Sequence, residues 1–303
     1  MKQTIKAHVA IVTQIAIVGL SYLFVKEGLT YADPFTQLSH RFIVATLGIW
    51  IVRYFVPHQS IFTRQAFKEL LPLGLFYPVL FFSLQTLALT MITTLEAGII
   101  SATIPILILV LAMVILKEKP SRLQKIVMVI AFLGVLYLNL NGQSQQSEFS
   151  FLGTTLMFLS ALSSALYTIT AKKVALNYET IDMTTFMLTF GMSIFTVIAI
   201  CQRVIGWQTV SYFEPLFHTQ YWIAILYLGL LSSLGSAFLS NYAIHHVPAS
   251  TMGLFSNLSP IITVFAGVFI VGEAIKLYQI IGIAIILIPI IGMNLIQLKL
   301  SKK

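Results

Sequence analysis

Long apolar runs alternate with short polar breaks along the whole chain. Ten runs reach or approach the roughly 20 residues needed to cross a hydrocarbon core. They span residues 9–25, 35–55, 70–90, 97–116 and 123–140. After a polar stretch at 142–150 follow 151–171, 184–201, 221–243, 250–271 and 277–296. None shows the two-residue alternation of a β-barrel wall. The pattern therefore predicts an all-α polytopic membrane protein of ten transmembrane helices. It divides into a first repeat over 1–141, a linker over 142–150 and a second repeat over 151–303.

Composition agrees with that reading. Hydrophobic residues make up 58% of the 303 and charged residues only 9%, with mean hydropathy +0.92. Soluble domains carry about a quarter charged residues, so most side chains here must meet lipid or other helices. Lys2 and Lys6 precede the first run as in a signal peptide, but Lys26, Glu27 and a second apolar run follow it. It reads as a retained helix. The lone Cys201 excludes an intramolecular disulfide.

The formal charge of +8 points to orientation, not to nucleic acid. Of the 18 Lys and Arg, all but Lys26, Arg41, Arg203 and Lys276 fall on the side that holds the N-terminus. The positive-inside rule then places both termini in the cytoplasm of a cell whose plasma membrane the chain spans, with the linker outside.

The chain also repeats itself. At one constant offset Gly74 meets Gly229, Gly98 meets Gly253, Ser101 meets Ser256, Pro105 meets Pro260, Glu118 meets Glu273 and Asn139 meets Asn294. Five helices per copy is an odd number, so the second copy starts on the opposite face and the two repeats are inverted. Inverted repeats that exchange conformations open a central site to each side in turn.

Each copy holds a mid-helix Pro followed at equal spacing by a Glu at the turn, Pro105 to Glu118 and Pro260 to Glu273, with a short polar linker between copies. In this the chain resembles the drug/metabolite transporter superfamily, specifically its EamA-type ten-helix branch. The resemblance implies a transporter, often an exporter, of amino acids, nucleosides, sugars or other small metabolites. It also implies a central cavity lined mainly by helices one to four and six to nine.

Polar groups at membrane depth are costly and mark pathways or helix contacts. Arg41 is the one charge well inside a run; it reads either as an anchor for a substrate carboxylate or phosphate, or as a structural ion pair with Asp33 or Glu96, or as a side chain that snorkels to the external interface. His40 beside it is a weaker candidate for binding or proton coupling. Gln14, Gln85 and Tyr22 suit hydrogen bonds to a polar ligand or to another helix. Ser232, Ser236 and Ser240 share one helical face, as small-residue packing or as a cavity wall, with Ser236 taken for the site. Asn257 lies three residues before Pro260 and is the strongest single polar candidate. Tyr77, Tyr167, Tyr227 and Tyr242 offer aromatic surface. Pro105 and Pro260 are candidate hinges, and Glu118 and Glu273 are structural turn residues.

These features favour a secondary transporter that moves a small polar metabolite, an amino acid or related compound, by alternating access, in the direction of export. A lipid-carrier flippase is the alternative. An intramembrane enzyme stands last, since neither HExxH nor paired intramembrane carboxylates occur. No Walker motif is present, and no cofactor or metal site is expected. The partners are a small-molecule substrate and the lipid bilayer, and a homodimer is left open.

Overall fold

The computed structural model describes residues 2–56, 61, 63–115, 117, 122–123, 126–127, 129–130, 133–134, 137, 150–247, 262, 265–272 and 275–300. Among the described residues there is no strand, and seven helices are long and apolar enough to cross a membrane. These are α1 (Lys2–Leu29), α2 (Pro34–Phe55), α3 (Arg64–Leu89), α4 (Thr94–Ile115), α5 (Phe151–Val174), α6 (Thr180–Val204) and α7 (Thr219–His246). They take up the first four predicted runs and the sixth to eighth. Helix α8 (Leu277–Leu300) covers the tenth. Most of the fifth and ninth runs and of the linker lies outside the described residues. The chain is a multi-pass membrane protein.

Helix ends are set by local chemistry. Asp33 caps α2, its carboxylate accepting from the Phe35 and Thr36 amides, and Pro34 occupies the first helical position, where no amide partner is lost. Thr93 and Glu96 close a capping box at the start of α4. Lys172 on α5 donates to the carbonyls of Ile244 and Val247, tying down the end of α7.

The two halves of the chain interleave. Helix α1 packs along α7, α3 along α5 and α2 along α6, whereas α1 and α2 barely touch. The antiparallel α2 and α6 are joined at both ends by ion pairs. At the end that holds the N-terminus, Arg53 lies 2.8 Å from Asp182, and both are buried. At the opposite end Arg203 lies 3.5 Å from Asp33. Close contact between these helices has a steric origin: a Cβ on Gly191 of α6 would come within 2.5 Å of Pro78 and 2.8 Å of Phe42.

Three helices are interrupted where they face the centre. Helix α3 breaks at Tyr77 (φ −144°, ψ 111°), the residue before Pro78, because a following proline disfavours the helical region. Hydroxyls of α5 brace the break from the side: Ser163 donates to Phe76 O at 2.9 Å, an oxygen that also accepts the Phe81 amide, and Ser160 to Phe81 O at 2.8 Å. Such bracing helps a broken helix survive inside a membrane. Helix α4 turns at Ala102 and Thr103 and restarts at Ile104. Pro105 explains the break, since it has no amide to offer the Ser101 carbonyl and its ring crowds that oxygen. Helix α7 widens into π-turns over Tyr227–Gly235.

Candidate functional site

The breaks in α3 and α4 border a cavity of about 100 Å³ in the middle of the bundle. A single water needs about 10–15 Å³ by the same measure, so the space holds a cluster of waters or a small solute. Five helices line it: α1 with Gln14, Val18 and Tyr22; α3 with Tyr77 and Phe81; α4 with Ser101, Ile104 and Ile108; α5 with Ser164, Tyr167 and Thr168; α7 with Ser236, Ala237 and Ser240. The described wall is largely aliphatic and aromatic, with hydroxyls and one amide set into it, and carries no charged side chain.

Each polar group is held by its helix or a neighbour. Tyr22 and Ser101 share a hydrogen bond of 2.7 Å across α1 and α4, and Ser101 also reaches back to Ala97 O. Gln85 is buried near the Tyr22 hydroxyl. Tyr167 donates to Asn241 at 2.8 Å, and Asn241 in turn donates to Thr184 of α6. Tyr77, Phe81 and Tyr167 stack with centroids 4.8–5.0 Å apart, which fixes an aromatic floor. Ser236 donates to the Ser232 carbonyl.

Arg41 sits beside this cavity without lining it. Its Nε donates to Ser233 at 2.6 Å and its Nη2 to Ser232 at 2.9 Å. The guanidinium lies 4.0 Å from the centroid of Phe82, a cation–π contact. The residue is 1% exposed, and Nη1 has no partner among the described residues. Neither acid expected as its counter-ion serves: Asp33 is taken by its cap and Arg203, and Glu96 by its capping box.

The sequence candidates thus divide. Gln14, Tyr22 and Ser236 meet in the cavity, Gln85 backs it, and Arg41 adjoins it through Phe82, whose ring lies 4.9 Å from Tyr77. His40 stands apart, bonded through Nδ1 to Tyr221 at 2.9 Å and edge-on to Tyr212. Pro105 is found at the break in α4. Asn257, Pro260, Glu118 and Glu273 lie outside the described residues. Of the serines expected on one face of α7, Ser236 and Ser240 line the wall while Ser232 is spent on Arg41.

Sequence reasoning passes over Ser164 and Thr168, which nothing in the pattern separates from helix-packing residues. It singles out Ser101 only as the match of Ser256. It also passes over Asp182, whose position reads as loop.

Comparison with known proteins places the chain among transporters by sequence. Residues 5–140 and again 151–295 match the EamA-like transporter family. An uncharacterized transporter of Bacillus subtilis, YcxC, is 36% identical over 99% of this chain and 96% of its own. A second from the same organism, YetK, is 26% identical over 95% and 86%. An uncharacterized transporter of Archaeoglobus fulgidus is 24% identical over 91% and 93%. A solved crystal structure superposes with TM-score 0.68 at 17% identity, over 95% of this chain and 97% of that one; that likeness concerns the fold.

Proposed function

Because this chain belongs to the EamA-like transporter family, we propose that it is a secondary transporter that carries a small polar metabolite, an amino acid or related compound, by alternating access. The observation that carries the reading is the central cavity, with hydroxyls and one amide set into an otherwise apolar wall, enclosed by α1, α3, α4, α5 and α7 and bordered by breaks in two of them. Polar cavities walled by discontinuous helices are how membrane transporters hold a solute at mid-depth. Gln14, Tyr22, Ser101, Tyr167 and Ser236 bind the solute, with Gln85 and Arg41 behind them, and Asn257 is assigned to the same site from its position beside Pro260.

The architecture we propose is ten helices in two inverted repeats, over 1–141 and 151–303, with an external linker and cytoplasmic termini in the plasma membrane. Several observations support it. The family matches twice. The wide turns of α7 fall where the wide turns of α3 fall once Gly74 is set on Gly229. The packing of α1 on α7 has its counterpart in that of α5 on α3. Each of α2 and α6 has an acid at its start and an arginine in its last turn, and each acid pairs with the other helix's arginine. A twofold axis in the membrane plane relates features in this way. Pro105 and Pro260 serve as the bending points, and net flux is outward.

Counterflow of labelled amino and carboxylic acids into proteoliposomes tests the proposal. Saturable exchange that is lost when Tyr22 and Ser236 are both replaced by Leu is the expected result. Lipid scrambling without solute exchange would overturn it in favour of a flippase.

A further inference from the structure

Arg41 is a buried cation surrounded by neutral groups. Two serine hydroxyls and the face of Phe82 contact it, Nη1 is unused, and no acid among the described residues pairs with it. A guanidinium keeps its charge in proteins, and a buried charge without a counter-ion is strongly unfavourable. Such a charge is stabilised by an anion nearby in the same low-dielectric surroundings, and Nη1 is the nitrogen the serines leave without a partner.

The cavity next to it supplies the rest of the description. Ser236 lies one turn along α7 from Ser232, and Tyr77 separates Phe82 from the cavity. The described wall offers hydroxyls, an amide and aromatic rings, with no acid to receive an ammonium. We infer that the substrate of the proposed site is a small monocarboxylate whose one charge balances that of Arg41 across the intervening Phe82 and Tyr77 rings, the remainder of the molecule being uncharged. A zwitterion satisfies Arg41 equally but brings a cation that the wall leaves unmatched. This inference rests on the transporter reading above and narrows its substrate class from amino acids to their hydroxy- or keto-acid analogues.

The test uses the purified full chain in detergent and short carbon skeletons, each presented as carboxylate, amino acid, amine and alcohol. Thermal stabilisation by carboxylates is expected at about ten- to hundredfold lower concentration than by the matching amino acids, and none by amines or alcohols. Arg41→Gln should abolish the effect without lowering the ligand-free melting temperature, because it removes an uncompensated charge. Arg41→Lys should retain part of the response, keeping the charge but losing the fork. Amines or amino acids that stabilise as well as carboxylates, no response to any carboxylate, or an unchanged response in Arg41→Gln would each overturn the inference. Counterflow separates the two readings: exchange of neutral or cationic solutes with no carboxylate response sinks this inference alone. Absence of exchange for every solute sinks the transporter reading itself.

Discussion

Asp182→Asn is the most discriminating single substitution for the packing of α2 against α6. It removes the carboxylate 2.8 Å from Arg53, in a pair whose side chains are 3% and 0% exposed. Breaking a buried pair from one side costs roughly 3–5 kcal/mol, most of it the desolvation of the charge left behind. Arg53→Met should cost a similar amount for the converse reason. The double variant Arg53→Met/Asp182→Leu removes both charges and should recover most of the loss, so the coupling between the sites is large and opposite to additivity. The pair at the other end gives the contrast. Asp33 and Arg203 are 3.5 Å apart and 10% and 17% exposed. Asn caps helices about as well as Asp, so Asp33→Asn deletes only a screened charge worth about 0–1 kcal/mol. Unfolding in mixed micelles can be followed through Trp50, whose ring lies 5.8 Å from the Arg53 guanidinium. If Asp182→Asn and Asp33→Asn proved equally mild, or if the double variant cost the sum of its parts, burial would not be setting the strength of these pairs.

Three further substitutions probe the packing and the cavity. Gly191→Ala drives a Cβ into Pro78 and Phe42 and should destabilise by about 1–3 kcal/mol in the same unfolding assay. Asn241→Ala removes the acceptor of the Tyr167 hydroxyl and a donor to Thr184; a loss of roughly 1–3 kcal/mol is expected, together with weaker solute binding as Tyr167 loosens. Pro105→Ala restores an amide for the Ser101 carbonyl, so α4 should run on unbroken; the melting temperature should rise while counterflow slows, and faster exchange would remove Pro105 from the gating machinery.

The helices are legible in the sequence because lipid imposes a compositional demand that any window of the chain reveals. Their ends are not, because helix starts near the membrane surface are polar. Helix α3 begins at Arg64 where hydropathy predicts Leu70, and α6 at Thr180 where it predicts Thr184. The second difference hides Asp182, which then passes for a loop residue. Cavity residues stand out when they are conspicuous on an apolar helix, as with Gln14 and Tyr22. They are missed when the same atoms also serve the backbone, as with Thr168, whose hydroxyl donates to Ser164 O.

Arg41 marks how far spacing along the chain can reach. Asp33 precedes it by eight residues, about 12 Å along a helix axis at 1.5 Å per residue, which is too far for a direct pair. Glu96 stands three residues after Thr93, the spacing of a capping box, and is thereby committed. The structure commits both suggested counter-ions elsewhere, Asp33 to its cap and Arg203 and Glu96 to its capping box, and leaves Arg41 with no carboxylate partner among the described residues. That serines 232 and 233 both reach Arg41 does not follow from spacing. Adjacent residues of an α-helix point about 100° apart, and in the π-turns of α7 the two hydroxyls meet different nitrogens of one guanidinium. Wide turns of this kind recur at functional sites, and here the distortion spends two hydroxyls on orienting a cation while leaving its third nitrogen open.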